Sequence, residues 1–188
     1  MRTTLTDSTT HNNNNDDSQL QNDSIQSTLL KHIEEYPGLR YRQLLRLTNI
    51  VNGVLSYHLK RLEKSNQIRV NRSKSKETRY YPINTSDEEF RIIGYMRNEP
   101  SSRIISYLLE HRSCSFNEIV EYTDRAPSTI SWHLKRLKDA GVVSLRYYKQ
   151  HQVYELTNSE VVAETSHKYK DRIADKIIDN YTHMIESL

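Results

Sequence analysis

The chain has 188 residues, 35 % of them hydrophobic, a mean hydropathy of −0.82 and a formal net charge of +3. No apolar run approaches the roughly 20 residues that span a bilayer, and the start, Met1-Arg2-Thr3-Thr4, lacks the apolar core of a secretion signal. The single cysteine, Cys114, excludes an internal disulfide framework and fits a reducing compartment, so a cytoplasmic protein with no membrane partner is expected.

Residues 1–22 are dominated by Thr, Asn, Asp, Ser and Gln, including the run Asn12 to Asn15, and read as a disordered tail. Asp23 with Gln26 three residues on reads as a capping box. Ile25, Leu29, Leu30 and Ile33 then share one helical face, and Pro37-Gly38 ends the helix. A short helix over 41–47 turns Tyr41, Leu44 and Leu45 inward. Asn52 is placed to cap a third helix over 53–65, whose inward residues are Leu55, Leu59 and Leu62. Asn66 tolerates the left-handed conformation that commonly ends a helix. Residues 67–72 and 78–83 read as a β-hairpin around a polar loop.

Residues 86–100 form a helical linker, with Asp87, Glu88 and Glu89 in its first turn. A helix from Ser101 or Ser102 buries Ile104, Ile105, Leu108 and Leu109. Ser115 and Glu118 make a second capping box, opening a helix with Phe116, Ile119 and Val120. Pro127 stands at a first-turn position, where its missing N–H costs nothing, and Gly141 closes that helix. Residues 142–148 and 151–156 form a hairpin joined by Lys149-Gln150. The last segment, 158–188, carries an amphipathic stripe: Val161, Val162, Ile173, Ile177, Tyr181, Met184 and Ile185. That face packs back on the domains or pairs with a second chain, which makes a homodimer through the C-terminal helix one expectation.

The two halves repeat each other. Ser56-Tyr57-His58-Leu59-Lys60-Arg61-Leu62 returns as Ser131-Trp132-His133-Leu134-Lys135-Arg136-Leu137, and Leu29/Ile104, Tyr41/Phe116, Leu44/Ile119 and Leu55/Ile130 match at the same offset. The fold class is therefore mainly α with small β-hairpins (α+β): two tandem winged helix-turn-helix domains plus a C-terminal helix. The boundaries are 1–22 for the tail, 23–85 for domain 1, 86–100 for the linker, 101–157 for domain 2 and 158–188 for the C-terminal helix.

Charge breaks the symmetry. Residues 29–83 carry 12 Lys/Arg against 4 Asp/Glu, whereas 101–157 carry 8 against 6. A basic excess confined to one unit suits a polyanion partner. On a helical wheel Leu59 and Leu62 fall within about 40° of Leu55, leaving Gly53, Tyr57, Lys60 and Arg61 opposite, with Ser56 at the edge. Hydroxyl, cationic and small residues on one helix face suit double-stranded DNA, since Lys and Arg neutralise phosphate or donate to guanine. The equivalent face of the second copy carries Ser128, Ser131, Trp132, Lys135 and Arg136. The first hairpin adds a basic wing over 72–79 with Arg72, Lys74, Lys76 and Arg79. His58 and His133 sit about 60° from the leucine stripe and read as half-buried structural residues.

With Pro37-Gly38-Leu39-Arg40-Tyr41-Arg42-Gln43-Leu44, the Ser-x-His-Leu-Lys-Arg-Leu helix and Arg79-Tyr80-Tyr81-Pro82, the chain resembles prokaryotic winged helix-turn-helix regulators of the ArsR/MarR type, closest to tandem two-wing archaeal proteins. The resemblance covers roughly 23–157 and implies a sequence-specific DNA-binding transcriptional regulator whose third helices contact an operator. No cofactor is implied. The cysteine pairs of metal-sensing relatives are absent, the eight His are scattered, and Cys114, matched to Leu39, reads as buried and inert. With four Gly and no phosphate-binding or metalloprotease motif, no enzymatic activity is expected. The rival reading is a winged-helix protein–protein interaction module in a transcription or chromatin complex.

Overall fold

A computed structural model of the chain describes residues 13–72 and 78–169. Domain 1 is built from α1 (Asn13–Glu35), β1 (Leu39–Arg40), α2 (Tyr41–Thr48), α3 (Asn52–Lys64), β2 (Ile68–Arg72) and β3 (Thr78–Pro82). Then come α4 (Asp87–Met96), α5 (Glu99–His111), β4 (Ser113–Cys114), α6 (Phe116–Thr123), α7 (Pro127–Asp139), β5 (Val143–Tyr148), β6 (His151–Leu156) and α8 (Ser159–Tyr169). No helix among the described residues is long and apolar enough to cross a membrane.

The leucine stripe does what its spacing requires. Leu29, Ile33, Leu44, Leu55, Leu59 and Leu62 are buried together with Leu39, Ile68 and Tyr80 as one core. In the second copy Ile104, Leu108, Ile119, Ile130, Leu134 and Leu137 close the equivalent core. Asn49, Asn66, Asp124 and Gly141 take positive φ at helix ends, where a left-handed residue lets the chain turn back. The capping box at Ser115 is formed, as is one at Ser86, where Ser86 Oγ accepts from the Glu89 N–H at 3.1 Å.

Each hairpin recruits a third strand. The sheets run β1-β3-β2 and β4-β6-β5, all antiparallel, with Leu39 opposite Tyr80 and Cys114 opposite Tyr154. Two-residue strands such as β1 and β4 leave no period-2 signal, so they are invisible in the sequence. In the second hairpin Lys149 and Gln150 both take positive φ, the geometry of a tight two-residue turn that matches strand twist.

Three expectations need correction. Helix α1 begins at Asn13, ten residues before Asp23. Once the turns from Ile25 to Ile33 dock on the core, further helix propagates without a second nucleation cost. The segment 1–12 lies outside the described residues. Asn52 is not a cap: Val51 holds that position with no side-chain bond, and Asn52 is the first helical residue.

The third correction concerns 86–100, which is not a linker standing apart. Ile92, Ile93 and Met96 of α4 are buried in the second core, together with Val162 and Tyr169 of α8. The last segment forms helix α8 over Ser159–Tyr169, and its stripe from Ile173 onward lies outside the described residues.

The two cores meet at one joint. Tyr81, on β3 of the first sheet, is fully buried in the second core, its ring 4.4 Å from that of Phe90. Arg97, at the end of α4, is 3 % exposed and donates Nε–H to the Pro37 carbonyl at 2.7 Å. Gly38 (φ +82) makes room for both, since a Cβ there would meet Arg97 Nε at 3.0 Å and Tyr81 Cε1 at 3.1 Å. Arg69 donates to the Thr85 carbonyl (2.8 Å) and to Asp87, and lies over the Phe90 ring.

Candidate nucleic-acid interface

Helix α3 stands on Leu55, Leu59 and Leu62 and presents its other face to solvent. Gly53, Tyr57, Lys60 and Arg61 are exposed, Tyr57 by 56 %, and Ser56 is half-buried. A Cβ built on Gly53 meets nothing within 4 Å, so no neighbour within the chain requires glycine there. The start of the helix is fixed from outside: Tyr41 Oη donates to the Asn52 carbonyl at 2.8 Å, tying α2 to α3. In the second copy those two positions are Phe116 and Pro127, so a rigid ring at the first turn replaces the hydroxyl tie.

Two contact candidates escape the sequence reading. Val51 and Val54, at the N-terminal end of α3, are 73 % and 39 % exposed. Their signal was present: apolar residues off the leucine stripe at the exposed end of the candidate reading helix, a chemistry suited to a thymine methyl.

The wing is less uniformly basic than its composition. Arg72 is exposed but donates to both carboxylate oxygens of Glu63 (2.6 and 2.5 Å), and this pairing holds the Glu63 carboxyl below the usual carboxylate range. Arg79 is placed differently from expectation. It is 7 % exposed and donates Nη1–H to the Gly38 carbonyl at 2.8 Å, because β3 is the central strand and its Arg79 side chain faces the Pro37-Gly38 turn. It shapes the joint rather than the outer surface. Lys74 and Lys76 lie outside the described residues.

On α7, Ser128, Ser131, Lys135 and Arg136 are exposed and Trp132 is 52 % exposed. Arg136 lies over the Trp132 ring, its Cζ 4.6 Å from the centroid, and Tyr95 Oη donates to the Arg136 carbonyl at 3.1 Å. One flank of α7 thus turns toward α4 and the first sheet. Beneath the exposed faces of α3 and α7 both histidines are more buried than half: His58 is 1 % exposed and His133 7 %. Each meets its neighbouring aromatic edge-on, Tyr57 at 5.1 Å and Trp132 at 4.7 Å. His133 Nδ1 shares a 2.9 Å hydrogen bond with Ser101 Oγ.

Burial lowers both imidazole pKa values, helped by Arg61 at His58 and by Arg136 at His133. The unfolded chain, with ordinary histidines near 6.5, therefore binds more protons, so stability is complete above about pH 6.5 and is lost as pH falls below it. The urea midpoint is expected to be level from pH 8 to 7 and to drop toward pH 5, with the drop reduced when both histidines are replaced by Gln. A midpoint that rises on acidification would contradict this. Cys114 is 2 % exposed and its thiol is pushed up to about 11 by burial, the state of an inert core cysteine.

A buried leucine stripe beneath an exposed Ser, Tyr or Trp, Lys and Arg face, followed by a β-wing, defines the winged helix-turn-helix class, here twice in one chain. Residues 101–144 match the family described as bacterial regulatory protein, arsR family, and residues 23–93 match the HVO_0163 N-terminal HTH domain family. Each half of the chain thus matches a helix-turn-helix family, the second half that of the arsR regulators. It is 26 % identical over 131 residues to the uncharacterized HTH-type transcriptional regulator MJ1398 of Methanocaldococcus jannaschii, a match covering 70 % of this chain and 33 % of that relative. The chain thus spans about a third of that relative's length. Among solved structures it is similar to HlyU of Vibrio cholerae (26 % identity, 46 % of this chain and 94 % of that one, TM-score 0.40). It is also similar to the homodimeric winged helix-turn-helix DNA-binding domain of Mb0332 from Mycobacterium bovis (21 % identity, 45 % and 84 %, TM-score 0.38).

Proposed function

We propose that the chain regulates transcription by binding double-stranded DNA sequence-specifically, with α3 as the main reader. The observation that carries this is the exposed face of Gly53, Tyr57, Lys60 and Arg61 on a helix whose opposite side is locked into the core. Val54 and Tyr57 offer apolar and hydroxyl contacts to base edges, while Lys60 and Arg61 offer cations to phosphate or guanine. Domain 2 is the weaker reader. Its face keeps Lys135 and Arg136, but its wing presents Tyr147 and Tyr148, 70 % and 64 % exposed, with Arg146 paired to Glu155 and Lys149 lying over the Tyr148 ring. Those two tyrosines favour a second reading for domain 2 alone, as a surface for a protein partner. The test is selection of genomic duplex fragments by the purified chain. Recovery of a common sequence is expected; recovery of none turns the reading toward protein interaction.

A homodimer through the C-terminal segment belongs to the same reading. Val162 and Tyr169 are core residues, so a truncation that spares the fold must fall after Tyr169. Removing 170–188, which carry Ile173, Ile177, Tyr181, Met184 and Ile185, is expected to halve the particle mass in light scattering while leaving the circular dichroism spectrum per residue close to that of the parent. An unchanged mass would contradict the dimer.

A further inference from the structure

The first turn of α3 breaks a local rule with no gain inside the chain. Val51 stands at the cap position, where Ser, Thr, Asp or Asn would accept from an orphan N–H, and it makes no side-chain bond. It is not a core residue either, being 73 % exposed. Val54 points outward from a helix whose leucines are all buried. Val54, Tyr57 and Lys60 follow at intervals of three, so they share one strip of the helix surface, with Val51 at its head. The strip is graded along its length: apolar at the N-terminal end, hydroxyl-bearing in the middle, cationic beyond.

Polar groups that could read a base are missing or engaged at that apolar end. Gly53 has no side chain. Tyr41 Oη lies against both the carbonyl (2.8 Å) and Oδ1 (2.5 Å) of Asn52, which turns that carboxamide toward α2. An asparagine reads adenine only with its oxygen and its amide N–H both presented to the base. Two valines are the side chains left. In the helix-turn-helix arrangement the N-terminal residues of the second helix meet base edges in the major groove. The apolar group on those edges is the thymine C5 methyl.

We propose that α3 identifies its half-site through thymine methyl groups packed against Val51 and Val54, while Lys60 and Arg61 hold the flanking backbone. This rests on the DNA-binding reading above and names the chemistry by which that reading becomes sequence-specific. Valine suits the task because its β-branch leaves few rotamers to freeze and it brings no polar atom that a methyl would leave unpaired.

Uracil lacks that methyl and keeps every hydrogen-bonding group of thymine, so it is the probe. The full chain is titrated by fluorescence anisotropy with the selected duplex and with the same duplex carrying uracil for thymine, one half-site at a time. A loss of about fourfold for each contacted methyl is expected, confined to one half-site. Val54→Ala and Val51→Ser are each expected to weaken binding to the thymine duplex and to bring the thymine-to-uracil ratio toward one. Val51→Ser is expected at the same time to raise the urea midpoint, since serine caps the helix end that valine leaves open. A purely structural role for Val51 would move stability and affinity in the same direction. Equal affinity for the thymine and uracil duplexes would overturn the proposal, and so would a ratio unchanged in both valine variants. Binding of the parent to the thymine duplex is measured first. Its absence would sink the DNA-binding reading and this one with it, whereas firm thymine-duplex binding with no effect of uracil would sink the methyl contact alone.

Discussion

Replacing Lys60 and Arg61 together by Ala is expected to weaken binding to the selected duplex by about 2–4 kcal/mol, roughly 30- to 1,000-fold. The same change at Lys135 and Arg136 is expected to cost under about tenfold. The two pairs occupy equivalent positions on equivalent helices, so composition of the motif does not separate them. Their surroundings do. Lys60 and Arg61 project from a domain with 12 Lys/Arg against 4 Asp/Glu, beside exposed Arg42, Arg46 and Lys64. Arg136 lies over Trp132, on a helix tied to α4 by Tyr95, in a domain with 8 against 6. Leu59 and Leu62 carry the fold of α3 from the other side, so both alanine chains should keep the parent's circular dichroism spectrum. Equal losses from the two substitutions, measured by fluorescence anisotropy on one labelled duplex, would contradict a dominant first domain.

The second large effect concerns stability. Tyr81→Ala is expected to destabilise the chain by about 3–5 kcal/mol, the range for deleting a large buried aromatic side chain. Tyr81 leaves its own sheet to fill the second core, its ring tilted against Phe90 and closed over by the Gly38 turn. Without its ring, Arg97 and Arg69 hold the domains by polar contacts alone, and the cooperative link between two cores is weakened. The substitution should also split unfolding. Trp132 emission, which reports domain 2, should depart from the far-ultraviolet signal of the whole chain, whereas the two coincide in the parent. A loss below about 1 kcal/mol with coincident transitions would place the joint elsewhere.

Much of this architecture was legible in the sequence, for physical reasons that differ by element. Leu55, Leu59 and Leu62 announce α3 because a helix repeats every 3.6 residues and its core stripe must follow. Ser115 with Glu118, and Asn66 with Gly141, mark helix ends because orphan backbone groups and left-handed turns need particular side chains. The exposed face of α3 followed by elimination once the stripe was placed. What the sequence hid depends on contacts between distant segments. Arg79 sits in a wing of basic residues and reads as a surface cation. Only the pairing of β3 with β1 turns it inward to the Gly38 carbonyl. Tyr81 alternates with Tyr80 as any strand residue does, and nothing local reveals that it belongs to the other core. Glu63 removes part of Arg72's charge from the wing through a pair nine residues apart, joined across a helix and a strand.

The most direct test of the DNA-reading face is the salt dependence of binding to the selected duplex. Each phosphate neutralised contributes about −0.9 to the slope of log K against log salt, so the five exposed cations of α2 and α3 predict a slope of roughly −4.5. Loss of Lys60 and Arg61 should make that slope shallower by about 2, one step for each charge removed from a phosphate. A slope near zero, or one unchanged in the chain lacking Lys60 and Arg61, would contradict a DNA interface centred on α3.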